Sequence, residues 1–180
     1  MLKIIKEIGF RRLGKYFLYG LWQWVFDLLP YSPLRVFWLR LGGAKIGRGC
    51  VVEKICFINL DRTGLKGLTL GEDCFIGSGV LLDLAGRITL ENQVTLSPRC
   101  VILSHHSVGF SDHPLIKFYP KKVFHTVVRA GTVVGVAAII LPGIIIGSRS
   151  LIGAASVVNK DIPERVMAAG IPAQVKKKLE

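Results

Sequence analysis

Acidic residues are scarce in this 180-residue chain: 12 Asp and Glu stand against 24 Lys and Arg, a formal net charge of +12. The deficit is deepest in residues 1–50, where Lys3, Lys6, Arg11, Arg12, Lys15, Arg35, Arg40, Lys45 and Arg48 face only Glu7 and Asp27. Such a balance suits an anionic partner. No helix-turn-helix, zinc-finger or aromatic RNA-binding signature accompanies it, so nucleic acid is not the expected partner. The apolar run at residues 16–30, YFLYGLWQWVFDLLP, falls short of the roughly 20 residues a membrane-crossing helix needs. Glu7, Arg11 and Arg12 interrupt any early apolar stretch and no small-residue cleavage site follows, so no signal peptide is expected. Cysteine is sparse too, with four residues and no C-x-x-C pair, which argues against a disulfide framework and for a reducing, cytoplasmic setting.

What the chain does have is a strict period. Val134, Ile140, Ile146, Ile152 and Val158 stand six apart, each preceded two residues earlier by Thr132, Ala138, Ile144, Ser150 or Ser156. A helix repeats every 3.6 residues and a strand every 2, so neither produces a six. A β-solenoid does, with one hexapeptide for each flat side of a coil. The rhythm recurs at Ile46, Val52 and Ile58, at Leu70, Ile76 and Leu82, and at Leu90, Leu96 and Ile102. Between Ile58 and Leu70 one corner is expected to be degraded, near Gly64. Between Leu82 and Leu90 two extra residues are expected to bulge outward near Ala85 and Gly86. Three hexapeptides close a coil, and roughly five coils follow, more than the about three that stacking requires. Cys50, Cys56, Cys74 and Cys100 each lie two residues before a ladder aliphatic, so all four are expected inside the coil as small hydrophobes.

Trp22, Trp24 and Trp38 mark the basic N-terminal segment. Two compatible readings follow: an amphipathic helix lying on an anionic membrane surface through residues 1–40, or a helical cap over the open end of the solenoid.

The ladder and its closing segment, Lys160, Asp161, Ile162 and Pro163 followed by Ala169, Gly170, Pro172, Ala173 and Val175, resemble the hexapeptide-repeat acyltransferases over about residues 44–176. The resemblance implies an all-β chain: a left-handed parallel β-helix over 44–163 with a loop extruded at 104–128. An N-terminal amphipathic helical segment would fill 1–43 and a short strand or helix tail 164–180. The left hand is an exception to the usual right-handed crossover and comes from the resemblance, not from the period. A homotrimer, acetyl-CoA as donor and a sugar hydroxyl as acceptor are implied as well, in making a bacterial surface polysaccharide or a lipid-linked glycan precursor.

All four histidines, His105, His106, His113 and His125, fall in the segment at 104–128 where the period stops. A loop of this length in a compact solenoid points to function. In sugar-acetylating relatives two aliphatics and Thr or Ser lead into a histidine, as Ile102, Leu103, Ser104 and His105 do here. The resemblance makes His105 the general base that draws the proton from an alcohol. His106 stands where relatives often carry Asp or Asn, and is the alternative base. Direct transfer would follow, with backbone N–H groups on the oxyanion. Asp83, in phase one coil earlier, is expected to project outward, there to orient the histidine, to bind a sugar hydroxyl, or to close its own turn. The resemblance places the donor against Val136, Ala137, Ala138, Ala154 and Ala155, with Asn159, Lys160 and Lys176 towards the nucleotide and its phosphates. Two departures from the family stand out: Val133 where a tryptophan is common, and no asparagine in Gly77-Ser78-Gly79. No metal is expected. The histidine pair that zinc-binding β-helix carbonic anhydrases space five residues apart is missing. N-acetylation of an amino sugar, a zinc lyase or hydratase, and a non-enzymatic scaffold are the other readings.

Overall fold

The computed structural model describes residues 10–180, so the first nine residues of the expected 1–43 segment lie outside it. Helix α1 (Phe10–Leu28) is followed across Pro30 by α2 (Ser32–Leu41). Pro33 sits in the first turn of α2, where its missing N–H costs nothing. The helix ends at Gly42, after which Gly43 takes φ +100, a conformation that glycine adopts without strain.

Coil one is β1 (Lys45–Ile46), β2 (Val51–Val52) and β3 (Cys56–Ile58). After the short helix α3 (Leu60–Thr63) and a 3-10 turn (Leu65–Gly67), coil two is β4 (Leu68–Leu70), β5 (Phe75–Ile76) and β6 (Leu81–Asp83). Coil three is β7 (Arg87–Leu90), β8 (Thr95–Leu96) and β9 (Val101–Ile102). The chain then leaves the solenoid through β10 (His105–His106) and β11 (Lys122–Val123), an antiparallel pair. Coil four is β12 (His125–Val128), β13 (Val133–Val134) and β14 (Ile139–Ile140); coil five is β15 (Ile145–Ile146), β16 (Leu151–Ile152) and β17 (Val157–Val158). A hairpin of β18 (Val166–Gly170) and β19 (Ala173–Lys178) closes the chain.

Stacked coils form three parallel sheets, β1-β4-β7-β12-β15, β2-β5-β8-β13-β16-β18 and β3-β6-β9-β14-β17, with β19 antiparallel on the edge of the second. The expected ladder is their shared interior. Leu70, Leu90, Val128 and Ile146 line one sheet, Val52, Ile76, Leu96, Val134 and Ile152 the next, and Leu82, Ile102, Ile140 and Val158 the third, all buried. Each buried aliphatic contributes about 1.5–3 kcal/mol. Inward hydroxyls find carbonyls on the next coil: Thr132 Oγ1 donates to Gly147 O at 2.8 Å and Ser150 Oγ to Pro163 O at 2.8 Å. A Cβ on Gly135 would lie 2.6 Å from the Ala154 amide nitrogen, so glycine there lets two coil backbones touch.

The structure corrects several expectations. In coil one Phe57, not Ile58, faces inward and pairs with Leu82; the step from Val52 is five residues, because a large ring fills the end of the stack. Cys56 therefore points outward and is exposed, and Cys50 is half-buried at the end coil; only Cys74 and Cys100 are fully buried. Burial pushes both of those thiols up to about 11, which keeps them protonated. No corner is degraded at Gly64: α3 and the 3-10 turn are an insertion between two complete coils. The extra residues near Ala85 do not bulge into solvent. Leu84 and Ala85 are buried beneath that insertion, where Thr63 Oγ1 donates to Leu84 O at 2.6 Å. The loop is shorter than 104–128, since His125 to Val128 already pair with β7. The tail is a hairpin and contains no helix.

α1 and α2 cap the first coil. Phe26 and Leu39 are fully buried, and Trp22 stacks on Phe26 and Trp38 and meets the edge of Phe57. An open strand edge must satisfy its backbone groups. Ser32 Oγ accepts from Val52 N at 2.8 Å, and the buried Arg35 donates to Val52 O at 3.3 Å. Gln23 donates to Ile55 O at 3.0 Å, and Arg40 to Gly47 O at 2.7 Å. Among the described residues no helix is long and apolar enough to cross a membrane.

Candidate active site

The first sequence-predicted group to meet another is Asp83. It ends β6, and its partner on β3 is Ile58. Its side chain leaves the coil, yet it is fully buried, because α3's insertion covers it from one side and Ser104-His105 from the other. A buried carboxylate must be fully hydrogen-bonded, and this one is. Oδ1 accepts from Asn59 Nδ2 at 2.7 Å and Ala85 N at 3.1 Å. Oδ2 accepts from Ser104 N at 2.9 Å, His105 N at 3.0 Å and His105 Nδ1 at 2.5 Å. Ser104 Oγ donates to the Asp83 carbonyl and accepts from Gly86 N at 2.7 Å. Burial raises the pKa of such a group; here the hydrogen bonds from His105, Ser104, Asn59 and Ala85 outweigh it and hold Asp83 below the usual carboxylate range. With all its lone pairs engaged, Asp83 has none left for a sugar.

His105 follows from this geometry. Its Nδ1 carries the hydrogen that points at Asp83, which leaves Nε2 as the basic nitrogen. The side chain is 18 % exposed, and among the described residues Nε2 has no hydrogen-bond partner. His106 is held differently: its Nε2 meets Pro120 O at 3.0 Å and its ring lies against Phe124. His113 Nδ1 accepts from Leu115 N at 3.1 Å, and His125 Nε2 meets Thr89 Oγ1 at 2.8 Å. Among the described residues no group of three metal-ligating side chains converges.

Of the expected donor residues, Val136, Ala137, Ala154 and Ala155 share one corner of the solenoid, where Ala155 N donates to Val136 O at 2.8 Å. All four are exposed. Ala138 is a correction: it is buried facing the coil interior and cannot line a groove. Asn159 and Lys160 are exposed at the next corner, the one from which His105 departs two coils earlier; Lys176 is exposed on β19. Sequence reasoning missed Asn59 and Ser104. Ser104 stood in the quoted motif, but only as a spacer; Asn59 carried no signal, since its insertion reads as a failed hexapeptide.

No protein-family model matches the chain. The galactoside O-acetyltransferase of Lactococcus lactis is 31% identical over 137 residues, 76% of this chain; the chain spans only 63% of that relative's length. The putative colanic acid biosynthesis acetyltransferase WcaF of Escherichia coli is 30% identical over 141 residues, covering 78% of this chain and 72% of the relative. A hexapeptide-repeat-containing acetyltransferase of Vibrio cholerae, solved with acetyl coenzyme A, superposes with a TM-score of 0.77 at 22% identity, over 89% of this chain and 85% of that one. A zinc lyase is not favoured, since these relatives all carry acetyltransferase names. With its coils wound as a left-handed β-helix and relatives of this kind, the chain belongs to the hexapeptide-repeat acyltransferases.

Proposed function

We propose that the protein is an O-acetyltransferase that moves an acetyl group from acetyl-CoA to a sugar hydroxyl of a surface polysaccharide or lipid-linked glycan precursor. The observation that carries this is the pairing of His105 with a buried, fully bonded Asp83 at the mouth of the loop. Nε2 takes the hydroxyl proton as the sugar oxygen attacks the thioester carbonyl. The tetrahedral intermediate collapses, the C–S bond breaks, and the imidazolium returns its proton to the departing thiolate. Asp83 holds the ring and stabilises its cationic form. The exposed corner of Val136, Ala137, Ala154 and Ala155 offers the small side chains against which a pantetheine arm can lie, and Asn159, Lys160 and Lys176 the polar and cationic groups for nucleotide and phosphates. The test is thiol release from acetyl-CoA with a panel of methyl galactosides, other glycosides and amino sugars. Turnover with hydroxyl acceptors is expected; turnover with free amines only would make it an N-acetyltransferase, and no acceptor-dependent thiol release would sink the reading.

A homotrimer belongs to the same reading. Two faces of the solenoid carry apolar residues outward: Leu81, Val101, Ile139 and Val157 on one, and Val51, Phe75, Val133, Leu151 and Met167 on another, where Thr95 stands between Phe75 and Val133. Soluble monomers seldom leave such contiguous patches uncovered. The third face is mixed, with Lys45, Thr69 and Thr89 followed by Val127 and Ile145 in one outward row and Arg87 beside His125.

Peripheral attachment of residues 1–40 to the inner face of the cytoplasmic membrane is the last part of the proposal. α1 is apolar on both sides. Trp22 and Phe26 pack on coil one, while Leu13, Phe17, Leu21, Trp24 and Leu28, spaced three or four apart, are exposed, Phe17 by 80 %. Leu34, Phe37 and Leu41 repeat the pattern on α2. A helix with apolar residues on two sides has one apolar face left for something else to cover. Exposed Lys15, Arg40, Lys45 and Arg48 beside this surface favour anionic lipid. The full chain is expected to sediment with anionic vesicles and to release in high salt. Replacing Phe17, Leu21 and Trp24 by Ser should weaken binding at least about tenfold, since each apolar group is worth about 1.5–3 kcal/mol. Equal partition of the triple variant would remove the helix as anchor.

A further inference from the structure

We infer that Asn59, at the entrance to the α3 insertion, is a positioning residue that divides the two oxygens of Asp83 between the scaffold and His105. The inference rests on the general-base reading of His105 only for its catalytic consequence.

Asn59 adopts φ 58, a left-handed conformation that non-glycine residues take seldom and Asn more readily than most. This conformation ends β3 and begins the insertion. The side chain makes no capping bond to α3; its Nδ2 reaches 24 residues along the chain to Asp83 Oδ1. Together with Ala85 N, it engages Oδ1 completely. Ser104 N and His105 N then leave Oδ2 in one orientation, aimed at His105 Nδ1. Without the Asn59 amide, Oδ1 keeps one protein donor, Ala85 N, and the carboxylate charge concentrates on the histidine side. The other charged or titratable groups on the surrounding elements are Asp61, Arg62 and Lys66 of the insertion, Arg87 of β7, His106 and Lys122. The lowered titration of Asp83 follows the balance of burial against the hydrogen bonds of His105, Ser104, Asn59 and Ala85.

The insertion therefore does more than roof the turn at residues 84–86. It supplies the donor that keeps the pair in register, from a coil that holds neither Asp83 nor His105.

The test is an NMR titration of the His105 imidazole in the full chain, alongside the pH profile of kcat/KM with acetyl-CoA and the methyl glycoside that turns over best. Asn59→Gly removes the donor and keeps a residue at ease with positive φ. Asn59→Ala removes the donor and keeps a Cβ at the position. Both variants are expected to raise the apparent pKa of His105, because an Oδ1 relieved of a donor leaves more of the negative charge facing the ring. The acid limb of kcat/KM should move with it, and kcat should fall about tenfold or more, as when the group that orients a ligating or catalytic side chain is lost. Binding of coenzyme A measured by calorimetry should stay unchanged. A residue serving stability alone would lower the melting temperature and leave the titration in place. A His105 titration that fails to rise in the Ala variant overturns the inference, whether or not the Gly variant folds. If the titration rises but the acid limb stays put, Asn59 positions the pair and His105 is not the base, so the two failures are distinct.

Discussion

His105→Ala is expected to lower kcat/KM about 10²–10⁴-fold, the usual span for a lost general acid–base group, or about 2.7–5.5 kcal/mol of barrier. The fold should survive. The His105 side chain is hydrogen-bonded to Asp83 alone among the described residues, and Asp83 keeps Asn59 Nδ2, Ala85 N, Ser104 N and His105 N as donors when the ring is removed. Coenzyme A affinity by calorimetry should match the parent chain, because the expected donor corner at residues 136–137 and 154–155 does not involve the ring. The rate loss thus belongs to kcat. His106→Ala is the control. Its ring bonds a backbone carbonyl and leans on Phe124, a loop-holding role, so its kcat should stay within a few-fold of the parent. The reverse pattern, a silent His105→Ala and a dead His106→Ala, would move the base to His106.

Asp83 is expected to matter twice. Asp83→Ala strands four N–H donors of the scaffold in a buried site, and removing one partner of a buried charged network costs about 3–5 kcal/mol. A chain of this size loses about 2–4 °C of melting temperature per kcal/mol, so a fall of roughly 10 °C is expected by calorimetry. Asp83→Asn separates the two roles. It keeps the shape, but an amide presents N–H₂ to groups that are themselves donors and no longer holds the Nδ1–H tautomer; kcat should fall about 10²–10⁴-fold with a smaller thermal loss. Acid titration gives a further check. The carboxyl of Asp83 lies lower in the folded chain than its usual value. Its stabilisation is therefore complete above the unfolded carboxylate range and is lost as pH falls through the lower folded value. The stability gap between the parent and Asp83→Asn, measured by urea unfolding, should shrink as pH falls below about 4, where the carboxyl takes up its proton. A gap that fails to shrink below about pH 4 would mean that Asp83 is not the ionised partner.

The parts of the architecture legible in sequence were those governed by local periodicity. A six-residue rhythm in Leu70, Ile76, Leu82 and their successors is imposed by the coil on every turn, so it survives in one dimension. The misread positions are those where one coil meets something other than a coil. Phe57 took the inward place of Ile58 because the α1–α2 cap lets a large ring fill the end of the stack. Cys56 turned outward with that shift. Gly64 looked like a failed corner because a helical insertion erases the period without announcing what it covers.

The candidate site divides in the same way. His105 and Asp83 could be named from motif and phase, since strands one coil apart are neighbours at the spacing of a sheet. That Asp83 is buried, saturated with donors and turned towards Nδ1 depends on Asn59, Ala85 and Ser104, which converge from three stretches of chain. The sequence alone determined the repeat, the core ladder, the family resemblance and the histidine segment, because each is written in local spacing. Only the tertiary structure decided which histidine is aligned, which donor residues face solvent, and that the N-terminal helices cap the coil while keeping a second apolar face outside. Those outcomes rest on burial and on hydrogen bonds between residues far apart in the chain, and such partnerships form only when the coils stack.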